Sequence, residues 1–191
     1  RLAAFTPAPV DPNEPSYVPL LRETFQCFGA DALPALLAEV TGPCFPADAA
    51  DTLAGTDTLA REWLQRGGKR LRPFLTLATY AVGKHGAAAS RQGADLAALV
   101  PPGVRRLAIA IEALHKASLV HDDIEDDDPF RYGAPTLHRT HGTPIAINVG
   151  DYLVGLGYRL IAGQQAELGA ASVADILARL SRAHLQLCCG Q

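Results

Sequence analysis

Residues 104–128 read VRRLAIAIEALHKASLVHDDIEDDD, and this stretch decides the fold. It contains neither Gly nor Pro, and through Val120 its residues are predominantly apolar. One long helix is therefore predicted over residues 104–127. That helix ends in an acidic run, DDIEDDD at 122–128, in which six of seven positions are carboxylates. On a helix, Asp122 and Asp126 are one turn apart, about 6 Å along the axis, and share a face. Like charges there repel, so something must offset the cost. Solvation of an exposed face could do so. A cation could as well: two carboxylates one turn apart can each give Mg²⁺ an oxygen, leaving its other positions to water and substrate phosphates. A carboxylate cluster capping an apolar core helix is poorly explained by solvation alone.

Working outward, the rest of the chain is helical too. An Ala/Leu pattern predicts a helix from Leu20 to Leu37, interrupted at Pro34, and TGPCFPADAAD at 41–51 punctuates. Residues 52–66 follow, with Leu53, Leu59, Trp63 and Leu64 roughly on one face. Gly67-Gly68 ends that helix. A buried helix over 72–83 tolerates Pro73 in its first turn. Residues 84–103 read as a loop with at most a short helix, and 129–143, rich in Pro and Gly, as a connection. Two further helices are predicted over 144–163 and 170–189. No repeat and no alternating strand is found, so the fold class is all-α. Residues 1–18 are Pro-rich and read as a loose arm, leaving 19–191 as one helical domain.

Composition bounds the function. The 191 residues are 48% hydrophobic and 19% charged, with a net charge of −3, which describes a globular chain. A pI of about 6.1 argues against a nucleic-acid binder. No apolar run approaches the length of a membrane span, and RLAAFTPAPV at the start is too Pro-rich for a signal peptide. Cys27, Cys44, Cys188 and Cys189 form no C-x-x-C pair, so reduced thiols and a cytoplasmic setting are expected. The chain begins at Arg1 and has no methionine, so it is expected to be part of a longer product.

A basic cluster precedes the long helix. Residues 67–73 read GGKRLRP, placing Lys69, Arg70 and Arg72 behind two glycines that let backbone approach a ligand. Arg offers a planar fork to phosphate oxygens and Lys a point charge. Neither a P-loop nor a G-x-G-x-x-G is present. Arg131 adds another fork three residues beyond the acidic run. The economical reading is a diphosphate held between Mg²⁺ and Arg/Lys.

GGKRLRP, IEALHKASLVHDDIEDD, then R-x-G-x-P-T-L-H (131–138) and GDYL (150–153) together resemble the trans-isoprenyl diphosphate synthases, in order as well as in motif. The resemblance implies an all-α isoprenoid-synthase bundle around a deep cavity, usually a homodimer, coupling an allylic diphosphate to isopentenyl diphosphate. By resemblance, Asp122, Asp123 and Asp126 form the D-D-x-x-D motif that binds Mg²⁺, with Asp122 and Asp126 as direct ligands. Lys69 and Arg72 match positions that hold isopentenyl diphosphate, His115 matches a third, and Arg131 matches an Arg on the allylic diphosphate; Arg70 is grouped with the substrate-binding cations. Ser118 and Ala117, four and five residues before Asp122, match positions at the floor of the elongation pocket. Both are small, so a product of C20 or longer is expected. His138 is expected to orient its loop, and Asp151 either to cap or pack or to contact ligand.

Two departures stand out. Tyr132 occupies the place of a second Arg and Ala134 that of a commonly basic residue; either affinity for isopentenyl diphosphate is lower, or neighbours such as Arg139 compensate, or the second substrate differs. The family's second D-D-x-x-D motif is absent from these 191 residues, so the chain alone is expected not to turn over efficiently. A same-fold enzyme with altered chemistry (a terpene cyclase or an irregular coupling enzyme) and a non-catalytic subunit of a heteromeric synthase are the alternatives.

Overall fold

The computed structural model describes residues 17–29, 31–41, 50–89 and 98–190; most of the expected N-terminal arm and Cys44 lie outside them. The described residues form α1 (Tyr17–Gln26), α2 (Ala32–Thr41), α3 (Ala50–Gln65), α4 (Leu71–His85), α5 (Pro102–Glu125), α6 (Leu137–His141), α7 (Thr143–Ala162), α8 (Gln165–Leu168) and α9 (Ala170–Gly190). A minimal hairpin, β1 (Phe130–Arg131) with β2 (Ala134–Pro135), lies between α5 and α6. The all-α expectation holds.

The long helix α5 organises the bundle, flanked by α4 and α7. Its contact with α7 depends on two glycines seven residues apart, hence two turns apart on one stripe of α7. A Cβ on Gly150 would lie 2.5 Å from His121 Nε2, and one on Gly157 2.6 Å from Leu114 Cγ. Both side chains of α5 thus seat directly on α7 backbone. The main core joins α3, α5, α7 and α9 through Trp63, Leu64, Ala113, Ala117, Val149, Leu153, Leu160 and Val173. A smaller one joins α1, α4 and α5 through Leu20, Leu77, Val104 and Ala108.

Three expectations are corrected. Pro34 does not interrupt a helix; it stands in the first turn of α2, where its missing N–H has no intrahelical partner to lose. The break falls earlier, between Gln26 and Ala32, at a turn that includes Gly29. Residues 129–143 are more than a connection. Tyr132 and Gly133 both have positive φ, 54° and 76°, the two-residue turn geometry that matches strand twist. Finally, α7 is long and apolar enough, by length and composition, to cross a membrane. Here it is a core helix, with Val149, Leu153, Leu156, Leu160 and Ile161 buried inside the chain.

Candidate functional site

The 3.6-residue period places Ile111, Leu114, His115, Ser118, His121, Asp122 and Glu125 along one side of α5. That side lines a cavity of about 490 Å³, completed by Arg72 of α4, Val154 of α7 and Leu180, His184 and Leu187 of α9. Its lining is mostly apolar toward α9, His184 being the exception, and polar around Arg72, His115 and Asp122. The α9 side is only partly covered, for Leu187 is 65% exposed.

Arg72 and His115, expected separately, meet: Arg72 Nη1 lies 3.0 Å from His115 Nε2. Arginine can only donate, so Nε2 accepts and the ring proton sits on Nδ1. Burial, and secondly the Arg72 charge, hold the His115 pKa below the usual histidine value. The ring is therefore neutral at pH 7, with Nδ1–H left to donate. Lys69 is exposed on the loop before α4.

The acidic run divides by burial. Asp122 lines the cavity. Asp126 is exposed and caps α5, its N–H bonding the Asp122 carbonyl. Asp123 is 1% exposed and turns inward, where its carboxylate accepts from Arg131 Nε. Burial raises the Asp123 pKa, and Arg131 opposes that shift. Arg131 also reaches Asp128, at 3.3 Å. Beyond α5, Asp127 pairs with Arg139 at 2.8 Å, so Arg139 pins the acidic turn. His138 lies against the same Asp127, at 3.7 Å.

Among the described residues no group of three or more His, Cys, Asp or Glu could hold a metal ion by itself. The donors present are two hard carboxylates, Asp122 and Asp126, one turn apart. That set suits Mg²⁺, which keeps few protein ligands and completes its shell with water and phosphate oxygens.

Arg70 is corrected. It does not face a ligand. Its guanidinium is buried, bonded to Glu112 Oε1 at 2.7 Å and to the Leu64 and Gln65 carbonyls at 2.9 and 2.8 Å. It also lies 4.3 Å over the Phe28 ring. Ala117 is corrected too: its side chain packs in the main core, and only Ser118 of the pair lines the cavity. Asp151 neither caps nor is buried. It stands in mid-α7, 66% exposed, with Oδ1 3.4 Å from His121 Nε2. Gly150 supplies the space for that ring, so GDYL orients the histidine beside Asp122.

The glycines of GGKRLRP also serve differently from the expectation. A Cβ on Gly67 would lie 2.6 Å from Tyr132 Cγ, so the backbone there approaches Tyr132 rather than an external ligand. Under the same ring lies Lys116, which the sequence reading passed over. Lys116 is 0% exposed. Its Nζ donates to the Arg66 carbonyl and sits 4.0 Å from the Tyr132 ring centre and 5.5 Å from that of Trp63. Trp63 Nε1 in turn donates to the Lys116 carbonyl, at 3.1 Å. The available signal was a Lys one residue after His115 in an otherwise apolar stretch.

Burial, then the Arg70 charge, lowers the Lys116 pKa to about 8, with Arg131 and Arg66 adding to the shift and Glu112 opposing it. The unfolded lysine would keep its proton up to 10.5. Between those values the unfolded chain binds more protons, so Lys116 is expected to make stability rise from pH 8 toward 10.5. Denaturant unfolding across that window, compared with Lys116→Gln, checks this; an identical pH slope in both proteins would refute it.

The family described as Polyprenyl synthetase matches residues 55–191. A short chain isoprenyl diphosphate synthase of Methanocaldococcus jannaschii is 35% identical over 132 residues, covering 69% of this chain and 35% of that protein. A geranylgeranyl pyrophosphate synthase of Geoglobus acetivorans is 35% identical over 132 residues, covering 69% and 36%. Among solved structures, an FPP/GFPP synthase from Zymomonas mobilis superposes with a TM-score of 0.64 at 26% identity, covering 87% of this chain and 53% of that one. The geranylgeranyl pyrophosphate synthetase of Pyrococcus horikoshii superposes at 0.56 with 32% identity, covering 91% and 42%. The chain spans about a third of the length of these curated relatives.

Proposed function

The chain belongs to the polyprenyl synthetase family, and from that premise we propose that it carries substrate-binding machinery of a Mg²⁺-dependent trans-prenyltransferase. The reaction joins an allylic diphosphate to isopentenyl diphosphate. The observation that carries the reading is a cavity shared by Arg72, His115 and Asp122, mostly apolar on its far side. Arg72 and the His115 Nδ1–H present donors to one diphosphate, with Lys69 on the adjoining loop. Asp122 and Asp126 would hold Mg²⁺, which when bound would neutralise charge on a leaving diphosphate. Arg131, oriented by Asp123, offers a further charged donor. Leu114, Val154 and Leu180 exclude water from an allylic centre that must survive until the alkene attacks it. No side-chain nucleophile is required.

Product length follows from Ser118. It faces the cavity one turn before Asp122 and is small, which favours chains of C20 or longer. Ser118→Phe is expected to shorten the product distribution. Ala117→Phe is expected instead to destabilise the fold by about 1–3 kcal/mol through overpacking, because Ala117 faces the core. Chain-length analysis of both variants, with thermal melting alongside, tests the assignment. An unchanged product profile in Ser118→Phe would remove Ser118 from the pocket floor.

A further inference from the structure

The Tyr132 ring is held at a cost. Tyr132 has a φ of 54°, a region that bulky side chains rarely occupy. Its ring fills the space over Gly67 and lies 6.2 Å from Trp63. Beneath it a fully buried ammonium has one carbonyl, Arg66 O, and two aromatic faces as partners. Burying a charge that way is expensive. The charge is also unbalanced locally, since Arg66, Arg70 and Arg131 all act on Lys116 and Glu112 is the carboxylate that opposes them. Glu112 is itself held by Arg70, and Asp123 and Asp128 hold Arg131. The Lys116 ammonium is tied to the Arg66 carbonyl, at the start of the loop that carries Lys69 and leads into Arg72.

We infer that Lys116 supplies from α5 the positive charge that position 132 does not carry, and that Tyr132 is the clamp holding it beneath the second diphosphate site. Lys116 does not touch the anion. It acts through its field, which burial leaves weakly screened by salt. Tyr132 and Trp63 fix the ammonium by cation–π contact, and Trp63 also fixes the backbone of Lys116. Lys116 and Tyr132 are positioning residues for Lys69, Arg72 and His115, and the assignment rests on the function proposed above.

The test is titration of inorganic diphosphate into the full-length protein with metal removed, beside melting temperatures. Lys116→Gln is expected to weaken binding about tenfold, as loss of a nearby unscreened charge should. In the enzyme assay the Michaelis constant for isopentenyl diphosphate should rise with little change in kcat. The charge-conserving double variant Lys116→Gln/Tyr132→Arg should recover most of the affinity. Tyr132→Leu, which takes the ring away from the ammonium, should weaken binding as well. A Lys116→Gln protein that melts earlier yet binds diphosphate normally would overturn the inference and leave Lys116 a core pin. So would a wild type that binds no diphosphate. Failure of the functional reading looks different: diphosphate binds, but isopentenyl units are not incorporated by the wild type.

Discussion

Asp126→Asn is expected to lower kcat by about 10²–10³-fold, the loss typical of removing one preorganised charge-stabilising group, while thermal stability barely changes. The geometry separates the two effects. Asp126 is exposed at the end of α5, and its structural contribution is its backbone N–H bond to the Asp122 carbonyl, which Asn retains. What Asn lacks is the negative charge that makes a carboxylate a Mg²⁺ ligand. Asp123→Asn makes the contrast. Asp123 is buried against Arg131, so its neutralisation should cost both folding free energy and the orientation of Arg131. Steady-state kinetics with melting curves on both variants check this. Equal loss of stability in both would mean that Asp126 is structural.

Arg70→Leu is expected to destabilise the protein by about 3–5 kcal/mol, because it strands Glu112 as an uncompensated buried charge. Arg70 and Glu112 are each 4% exposed. The guanidinium also satisfies two carbonyls at the end of α3 while ending the loop at a φ of 51°. Arg70→Lys should recover little, since an ammonium cannot reproduce the planar fork that bonds Glu112 and two carbonyls together. Arg70→Leu with Glu112→Leu should recover part of the loss, because the stranded carboxylate is gone, although Lys116 then loses the carboxylate that favours its charge. Denaturant unfolding of the wild type and these three variants checks this.

These residues also show where sequence reading reaches and where it stops. The predicted helices over 104–127, 144–163 and 170–189 match α5, α7 and α9 closely, because long periodic segments without internal Pro announce themselves. The acidic run and Arg72–His115 were legible as motifs. Ala117 and Ser118 were not separable in sequence, for adjacent residues on a helix point about 100° apart and only packing decides which meets the cavity. Arg70, Glu112 and Lys116 look like surface charges in a string of letters. Their burial depends on partners 42 and 50 residues away, and no local pattern encodes that. The two-residue strands are too short for alternation to register, and a Tyr at positive φ is an unusual choice for such a turn.

The most direct test of the central claim is incorporation of labelled isopentenyl diphosphate by the full-length protein, with C5, C10 or C15 allylic diphosphates, in Mg²⁺ and in chelator. The account predicts Mg²⁺-dependent incorporation giving products of C20 or longer. No incorporation with any allylic partner would contradict it.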